Sequence, residues 1–391
     1  MCGSLYAPPL TGLGLTPRLA RVPQGKVWFT HRTCAAAGVA SAQPAGRTRL
    51  ARAARLHALG GPEGFAVDEV AVPEPGPGEV LVRVRAAGLN FFDTEIRGGL
   101  IPNLPLPITL GMDGAGTIEA VGEGVDRGRV GEQVVIYPLL VCRTCRRCVS
   151  GFENRCERLG FVGITIAGTY AQYVRLPAHN TVPFEGLSFQ EAACVPLPFI
   201  TAWHLLRSRV RIGPGQTLLV IGAGGGVGTA AVQIARLLGA TVLAATSGAE
   251  KAGRLRQLGA DAVFDYRHGD PWQAAREHTS GRGPDFILDY GGANTAGRSL
   301  GALAPGGALL VVGSITGDLV PELNLRHLYF NQLSVVGTSA GTRADLQEVL
   351  DTIRRGAVRP ILDRAFPLEQ TADAHRALVS QDKFGNLVLV P

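Results

Sequence analysis

Four of the chain's seven cysteines, Cys142, Cys145, Cys148 and Cys156, fall within the fifteen residues "CRTCRRCVSGFENRC". Their spacing suits three chemistries: a metal, a redox pair or a disulfide knot. A reducing compartment does not maintain a disulfide knot. Four thiolates on one loop form a tetrahedral zinc set that is closed to substrate, so the spacing points to a structural zinc.

A second group lies in "TLLVIGAGGGVGTAAVQIARLLG". Ala223, Gly225 and Gly228 stand at the spacing of a dinucleotide fingerprint, with Ala in the first glycine place. Gly226 and Val227 complete the turn. Glycines there let the backbone approach a pyrophosphate, and the N-terminus of the following helix stabilises its charge. The run follows an apolar strand and opens a helix, the context such a motif needs. At the end of the next strand, "VLAATSGAEK", an NAD site offers an acid to the ribose hydroxyls. Here Ser247 stands in that place and Lys251 follows four residues later. A missing carboxylate and an added ammonium favour a 2′-phosphate, so the expected cofactor is NADPH. Tyr266, after the third strand, is placed against the adenosine side.

The elements that must hold these groups change character along the chain. "EVLVRVRAAGLN" alternates apolar and polar residues as a half-buried strand does. "GTIEAVGEGV" and "GEQVVIYP" add short strands with glycine turns. Beyond about Pro183, apolar strands alternate with helices, the pattern of a parallel sheet covered on both faces. The expected class is therefore α/β: a doubly wound parallel Rossmann sheet plus a β-rich domain. Residues 1–53 read as a disordered leader, a transit-like segment or a mis-assigned start, although Leu50 opens what resembles a first strand. The expected divisions are 54–183 for the β-rich domain, 184–335 for the cofactor domain and 336–391 for a return to the first.

Net charge is +6, but residues 1–62 hold seven arginines, Lys26 and no acid. The remainder is slightly acidic and carries no basic stripe, so nucleic acid is not an expected partner. No apolar run reaches the length of a spanning helix, so no membrane segment is expected. A cytoplasmic location is expected, or a mitochondrial or plastid one if the leader is a transit peptide.

"GMDGAGTIEAVGEGV", the cysteine lobe, "AGGGVG" and the closing "GNLVLV" resemble the medium-chain dehydrogenase/reductase superfamily over about residues 55–391. The resemblance implies a GroES-like catalytic domain, a structural zinc on the four cysteines, and a homodimer or homotetramer. Zinc alcohol dehydrogenases have a catalytic cysteine where this chain has Asn90. They have a His-Glu pair where it has Met112 and Asp113, and their third ligand falls near Leu197. Asn, Met and Leu do not make a zinc set. "AAGLNFFDTEIRGGL" instead resembles the quinone oxidoreductase branch. The implied activity is metal-independent, NADPH-dependent reduction of quinones or α,β-unsaturated carbonyls. A zinc-type alcohol dehydrogenase and a non-enzymatic NADPH-binding protein stand as alternatives. Asn90 is the candidate contact to an acceptor carbonyl, Glu95 the candidate proton relay, and Thr201 the candidate neighbour of the nicotinamide. Gly291, Gly313 and Ser314 should border the nicotinamide half at the carboxyl ends of their strands.

Overall fold

The computed structural model describes residues 49–317 and 323–391. The leader reading therefore lies outside the described residues except at its end. There Leu50–Leu56 is a strand, paired antiparallel with Phe65–Ala71. Its inward alanines and Leu56 are buried while its arginines face outward, so the ordered fold begins before the boundary expected at 54.

The catalytic half is built on a seven-stranded sheet. Its central strand, Glu79–Leu89, pairs antiparallel with Asp113–Val121 on one side and with Asn386–Val390 on the other. The last strand of the chain thus returns to the first half, with Leu362–Pro367 beside it. The register sets Gly88 opposite Asp113. A Cβ at Gly88 would lie 3.0 Å from the Cβ of Asp113, so only glycine lets the strands and the Phe189–Ala193 helix close up here.

The cofactor half is a six-stranded parallel sheet in the order Ala262–Asp265, Thr241–Thr246, Thr217–Ile221, Phe286–Asp289, Ala308–Val311, Ser334–Gly337. The last strand spans the boundary expected at 335. Leu219, Leu243, Ile287 and Leu309 form the centre of this sheet's core, closed by Trp272 and Leu300 from the flanking helices. Each such side chain contributes about 1.5–3 kcal/mol through removal from water. The order reverses between Thr217–Ile221 and Phe286–Asp289, where ligands of such sheets sit.

The two halves share one compact unit spanning Thr48–Pro391. The Pro196–Trp203 helix packs on the Gly226–Leu237 helix and on Arg343–Arg354, and its first turn touches the Asp113–Val121 strand. No helix among the described residues is long and apolar enough to cross a membrane.

Candidate active site and zinc lobe

Asn90 ends the central catalytic strand and precedes the Phe91–Arg97 helix. Its backbone N–H donates to Asp93 Oδ2 at 2.8 Å, which fixes the helix start. Its amide Nδ2 donates to Asp113 Oδ2 at 2.9 Å. The other oxygen of Asp113 accepts the backbone N–H of Leu197 at 3.0 Å, in the first turn of the Pro196–Trp203 helix. The structure therefore draws together Asn90, Asp113 and Leu197, but as a hydrogen-bonded group containing a single carboxylate. Met112 is buried in the core.

Asp113 is 1% exposed. Burial pushes its carboxyl up to about 8, although the Asn90 and Leu197 bonds oppose the shift and the nearby Asp93 adds to it. Asp93 is fully buried and also bonds the Tyr170 hydroxyl at 2.8 Å; burial raises it to about 6. Thr201, also buried, lies one helical turn beyond Leu197 on the same face. Glu95 is half-buried on the Phe91–Arg97 helix. His204, which sequence reasoning sets apart as a packing residue, is buried and bonded at both ring nitrogens, to Asp345 at 2.9 Å and to Asn154 at 3.1 Å.

The glycine turn follows Thr217–Ile221 and feeds the Gly226–Leu237 helix. A Cβ at Gly228 would lie 2.7 Å from the Ala223 carbonyl oxygen, so helix and turn close only on glycine. Gly225 takes the N-cap place and Val227 lies in the first turn, so backbone N–H groups there have no partner within the helix. Ser247 is buried at the end of the neighbouring strand. Lys251 Nζ lies 3.5 Å from its hydroxyl and also bonds the Gln381 carbonyl. Tyr266 is 41% exposed, at the end of the third strand.

Two contributors to this cradle are missing from the sequence reading. The tyrosine before Gly291, Tyr290, donates its hydroxyl to the Gly222 carbonyl beneath the turn. The closing segment of the chain crosses the turn: Gly385 N–H donates to the Gly224 carbonyl at 2.8 Å. This crossing brings Lys383 Nζ to 3.9 Å from where a Gly225 Cβ would stand. Burial holds both Lys251 and Lys383 below the ordinary lysine range; the Lys251 ammonium further depresses Lys383, and Arg267 further depresses Lys251. Paired cations at a helix N-terminus fit a polyanion such as a dinucleotide. The only sequence signal for Lys383 was its place just before "GNLVLV".

The loops after Phe286–Asp289 and Ala308–Val311 meet at the carboxyl edge. A Cβ at Gly292 would lie 2.9 Å from the Ser314 Cα, and one at Gly313 would lie 3.4 Å from the Tyr290 Cβ. Gly291 is held by the Asp289 carboxylate at 2.8 Å. A cavity of about 430 Å³ opens beside Gly313 and Ser314, with Asn154, Arg155 and Arg209 on its other walls.

The four lobe cysteines are thiols whose sulfurs lie within 4.8 Å of one another. Separations of 3.6 Å for Cys145–Cys148, 3.9 Å for Cys142–Cys148 and 4.0 Å for Cys145–Cys156 bracket the spacing of about 3.8 Å implied by tetrahedral Zn–S bonds. Backbone N–H groups of Cys142 and Arg158 donate to Cys156 Sγ, and that of Cys145 to Cys142 Sγ, each at 3.3 Å. Such bonds favour thiolates: backbone N–H groups of Thr144 and Cys145 bring Cys142 down to about 5, and Cys145 is lowered as well, whereas burial pushes Cys148 up to about 12 and raises Cys156. The donor set fits zinc. The lobe is clipped to the rest of the fold: Asn154 also donates to the Ala340 carbonyl at 3.1 Å, and Glu153 accepts the Arg343 N–H at 2.6 Å.

Residues 76–186 match the alcohol dehydrogenase GroES-like domain and residues 226–355 match the zinc-binding dehydrogenase family. An NAD-dependent alcohol dehydrogenase of Sulfurisphaera tokodaii is 31% identical, over 87% of this chain and all of that one. A quinone oxidoreductase of Pseudomonas aeruginosa is 33% identical, over 88% of this chain and all of that one. A crystal structure of an NAD-dependent alcohol dehydrogenase superposes with a TM-score of 0.84 at 41% identity, covering 87% of this chain and 99% of that one. Its relatives being oxidoreductases and its cradle that of a pyridine nucleotide, the chain belongs to the medium-chain dehydrogenase/reductase superfamily.

Proposed function

We propose that the protein reduces quinones or α,β-unsaturated carbonyls with NADPH, without a catalytic metal and with a structural zinc in the lobe. The observation that carries this reading is the hydrogen-bonded Asn90–Asp113–Leu197 group: a neutral amide, one carboxyl group and a backbone N–H, at positions where the family resemblance puts a metal-ligand set in zinc alcohol dehydrogenases. An electron-poor acceptor needs less help than an alkoxide, which a Lewis acid would stabilise.

The bound dinucleotide supplies the hydride. The chain's part is to hold and orient. The Gly225–Gly228 turn and the N-terminus of its helix take the pyrophosphate, with Lys383 beside them. Ser247 and Lys251 take the 2′-phosphate, and Tyr266 lies along the adenosine. Gly291, Gly313 and Ser314 form the wall on the nicotinamide side, with Thr201 facing it. Asn90 directs its amide to the acceptor oxygen, and Glu95 delivers the proton that the reduced acceptor takes up. In the lobe, Cys142, Cys145, Cys148 and Cys156 hold the zinc and shape the loop that presents Asn154.

Self-association runs through the edge strand Ser334–Gly337. Val335 is 53% exposed, and Leu325, Tyr329 and Phe330 on the adjoining helix are exposed by more than 60%. An unpaired apolar strand edge is a template for a second copy.

The test is turnover of a panel of quinones, enones and simple alcohols with each cofactor in its proper redox state. Reduction of conjugated acceptors by NADPH supports the reading. Alcohol oxidation alone refutes it.

A further inference from the structure

Asn90's amide is bound at one end, and what binds it titrates. Its backbone N–H is bonded to Asp93, which fixes where the side chain starts, and its amide meets Asp113. Asp113 offers the amide one oxygen and is held at the other by the Leu197 N–H. An ionised carboxylate only accepts, whereas a protonated one must donate. With Asp113 ionised, Asn90 turns Nδ2 toward it and Oδ1 away from it. With Asp113 protonated on Oδ2, Asn90 Oδ1 accepts that proton and Nδ2 faces outward as a donor.

We propose that Asp113 is a positioning residue whose proton sets the orientation of the Asn90 amide, so that the site offers an acceptor oxygen a hydrogen-bond donor only while Asp113 is protonated. This rests on the reading of Asn90 as the carbonyl contact.

The surroundings of Asp113 make the exchange accessible near neutrality. The groups that face it are Asp93 from the Phe91–Arg97 helix, Tyr170 from the loop before Tyr173–Pro177, and Cys194 at the end of Phe189–Ala193. From Pro196–Trp203 comes the Leu197 N–H alone. The neighbouring strand Gln133–Ile136 adds the apolar Val134, Val135 and Ile136. Asp93 disfavours a second negative charge, burial disfavours the first, and no cation is among these groups. The two bonds to the carboxylate keep the ionised form within reach. The resulting value of about 8 puts the change where a pH profile around neutrality reads it.

The sign follows. Activity is high while Asp113 is protonated and falls as pH rises through its pKa. Losing one donor to a developing enolate oxygen typically costs about a hundredfold or more in rate. Asp113→Asn supplies a neutral amide that donates to Asn90 Oδ1 and accepts from Leu197, reproducing the protonated arrangement at every pH.

The experiment is the pH profile of kcat/KM for NADPH-dependent reduction of a conjugated ketone by the full-length, zinc-loaded protein. Wild type should fall about thirtyfold between roughly pH 7 and pH 9.5, the drop in the protonated fraction of one group titrating near 8, while Asp113→Asn should stay level and exceed wild type at the alkaline end. Asn90→Ala, which keeps Asp113 but removes the amide, should be level and low. A wild-type limb that persists in folded Asp113→Asn, or in Asn90→Ala, overturns the proposal. If wild type reduces no conjugated acceptor, the substrate reading fails. The inference is then decided by the pH dependence of the Asn90 side-chain amide resonances in the NADPH complex, identified by their loss in Asn90→Ala. A transition near pH 8 supports it and pH-invariant resonances overturn it. If Asp113→Asn does not fold, the same resonances in wild type decide.

Discussion

Replacing Lys251 or Lys383 should separate the two phosphate groups of the cofactor. Lys251 carries its ammonium beside Ser247, 3.5 Å from the hydroxyl, at the end of the strand where the ribose falls. Lys383 carries its own beside Gly225, at the N-terminus of the helix that faces the pyrophosphate. A hydrogen bond to a charged group is worth about 1.5–3 kcal/mol, or roughly ten- to a hundredfold in affinity. Lys251→Ala should therefore weaken NADPH by that factor and leave NADH nearly unchanged, removing the preference. Lys383→Ala should weaken both cofactors by a similar factor, because both carry the pyrophosphate. Removing one ammonium relieves the repulsion on the other and so reduces each single loss, and the double variant should lose more than the two single losses added together. Fluorescence titration of both reduced cofactors against the four proteins gives the dissociation constants without depending on turnover. Equal loss of NADPH and NADH in Lys251→Ala, or selective loss of NADPH in Lys383→Ala, would refute the assignment.

Cys142→Ser or Cys156→Ser should remove zinc and lower the melting temperature; retention of one zinc per subunit in both would defeat the four-thiolate site. The same variants should also weaken turnover, because Asn154 of the lobe bonds His204 on the continuation of the helix that carries Thr201. Glu95→Gln should depress enone reduction more than quinone reduction, since a reduced quinone can take its protons from water; equal loss would make Glu95 a residue that shapes the pocket. Wild-type stability should decline as pH rises from about 4 to 8, because burial raises the carboxyls of Asp113 and Asp93 above their unfolded values. Thermal melts of Asp113→Asn should show a shallower decline over that range, and an unchanged slope would show that Asp113 is not raised.

Local chemistry made much of this legible. The glycine turn announces itself because only glycine tolerates the approach at Gly228, and the cysteine lobe because its thiols are sequential neighbours. The strand "EVLVRVRAAGLN" shows its pairing through alternation. What stayed hidden depends on long-range return. Lys383 reaches the cofactor cradle only because the final strand inserts beside Glu79–Leu89 and carries the preceding segment across Gly224. The sequence shows Asp113 only as standing, with Met112, in the place of a His-Glu pair; its bond to Asn90 arises from the pairing register with Gly88, and its bond to Leu197 from packing between the halves. The lobe depends on the same kind of return: Asn154 and Glu153 reach residues 186 and 190 positions away in sequence. The strand that opens at Leu50 is legible in the sequence, although the domain boundary expected at 54 runs through it.

Zinc content measured together with turnover tests the central claim most directly. The purified protein should hold one zinc per subunit and reduce a quinone or an enone with NADPH, at a rate unaffected by a chelator that leaves the lobe zinc in place. Two zincs per subunit, with alcohol oxidation that the chelator abolishes, would contradict it.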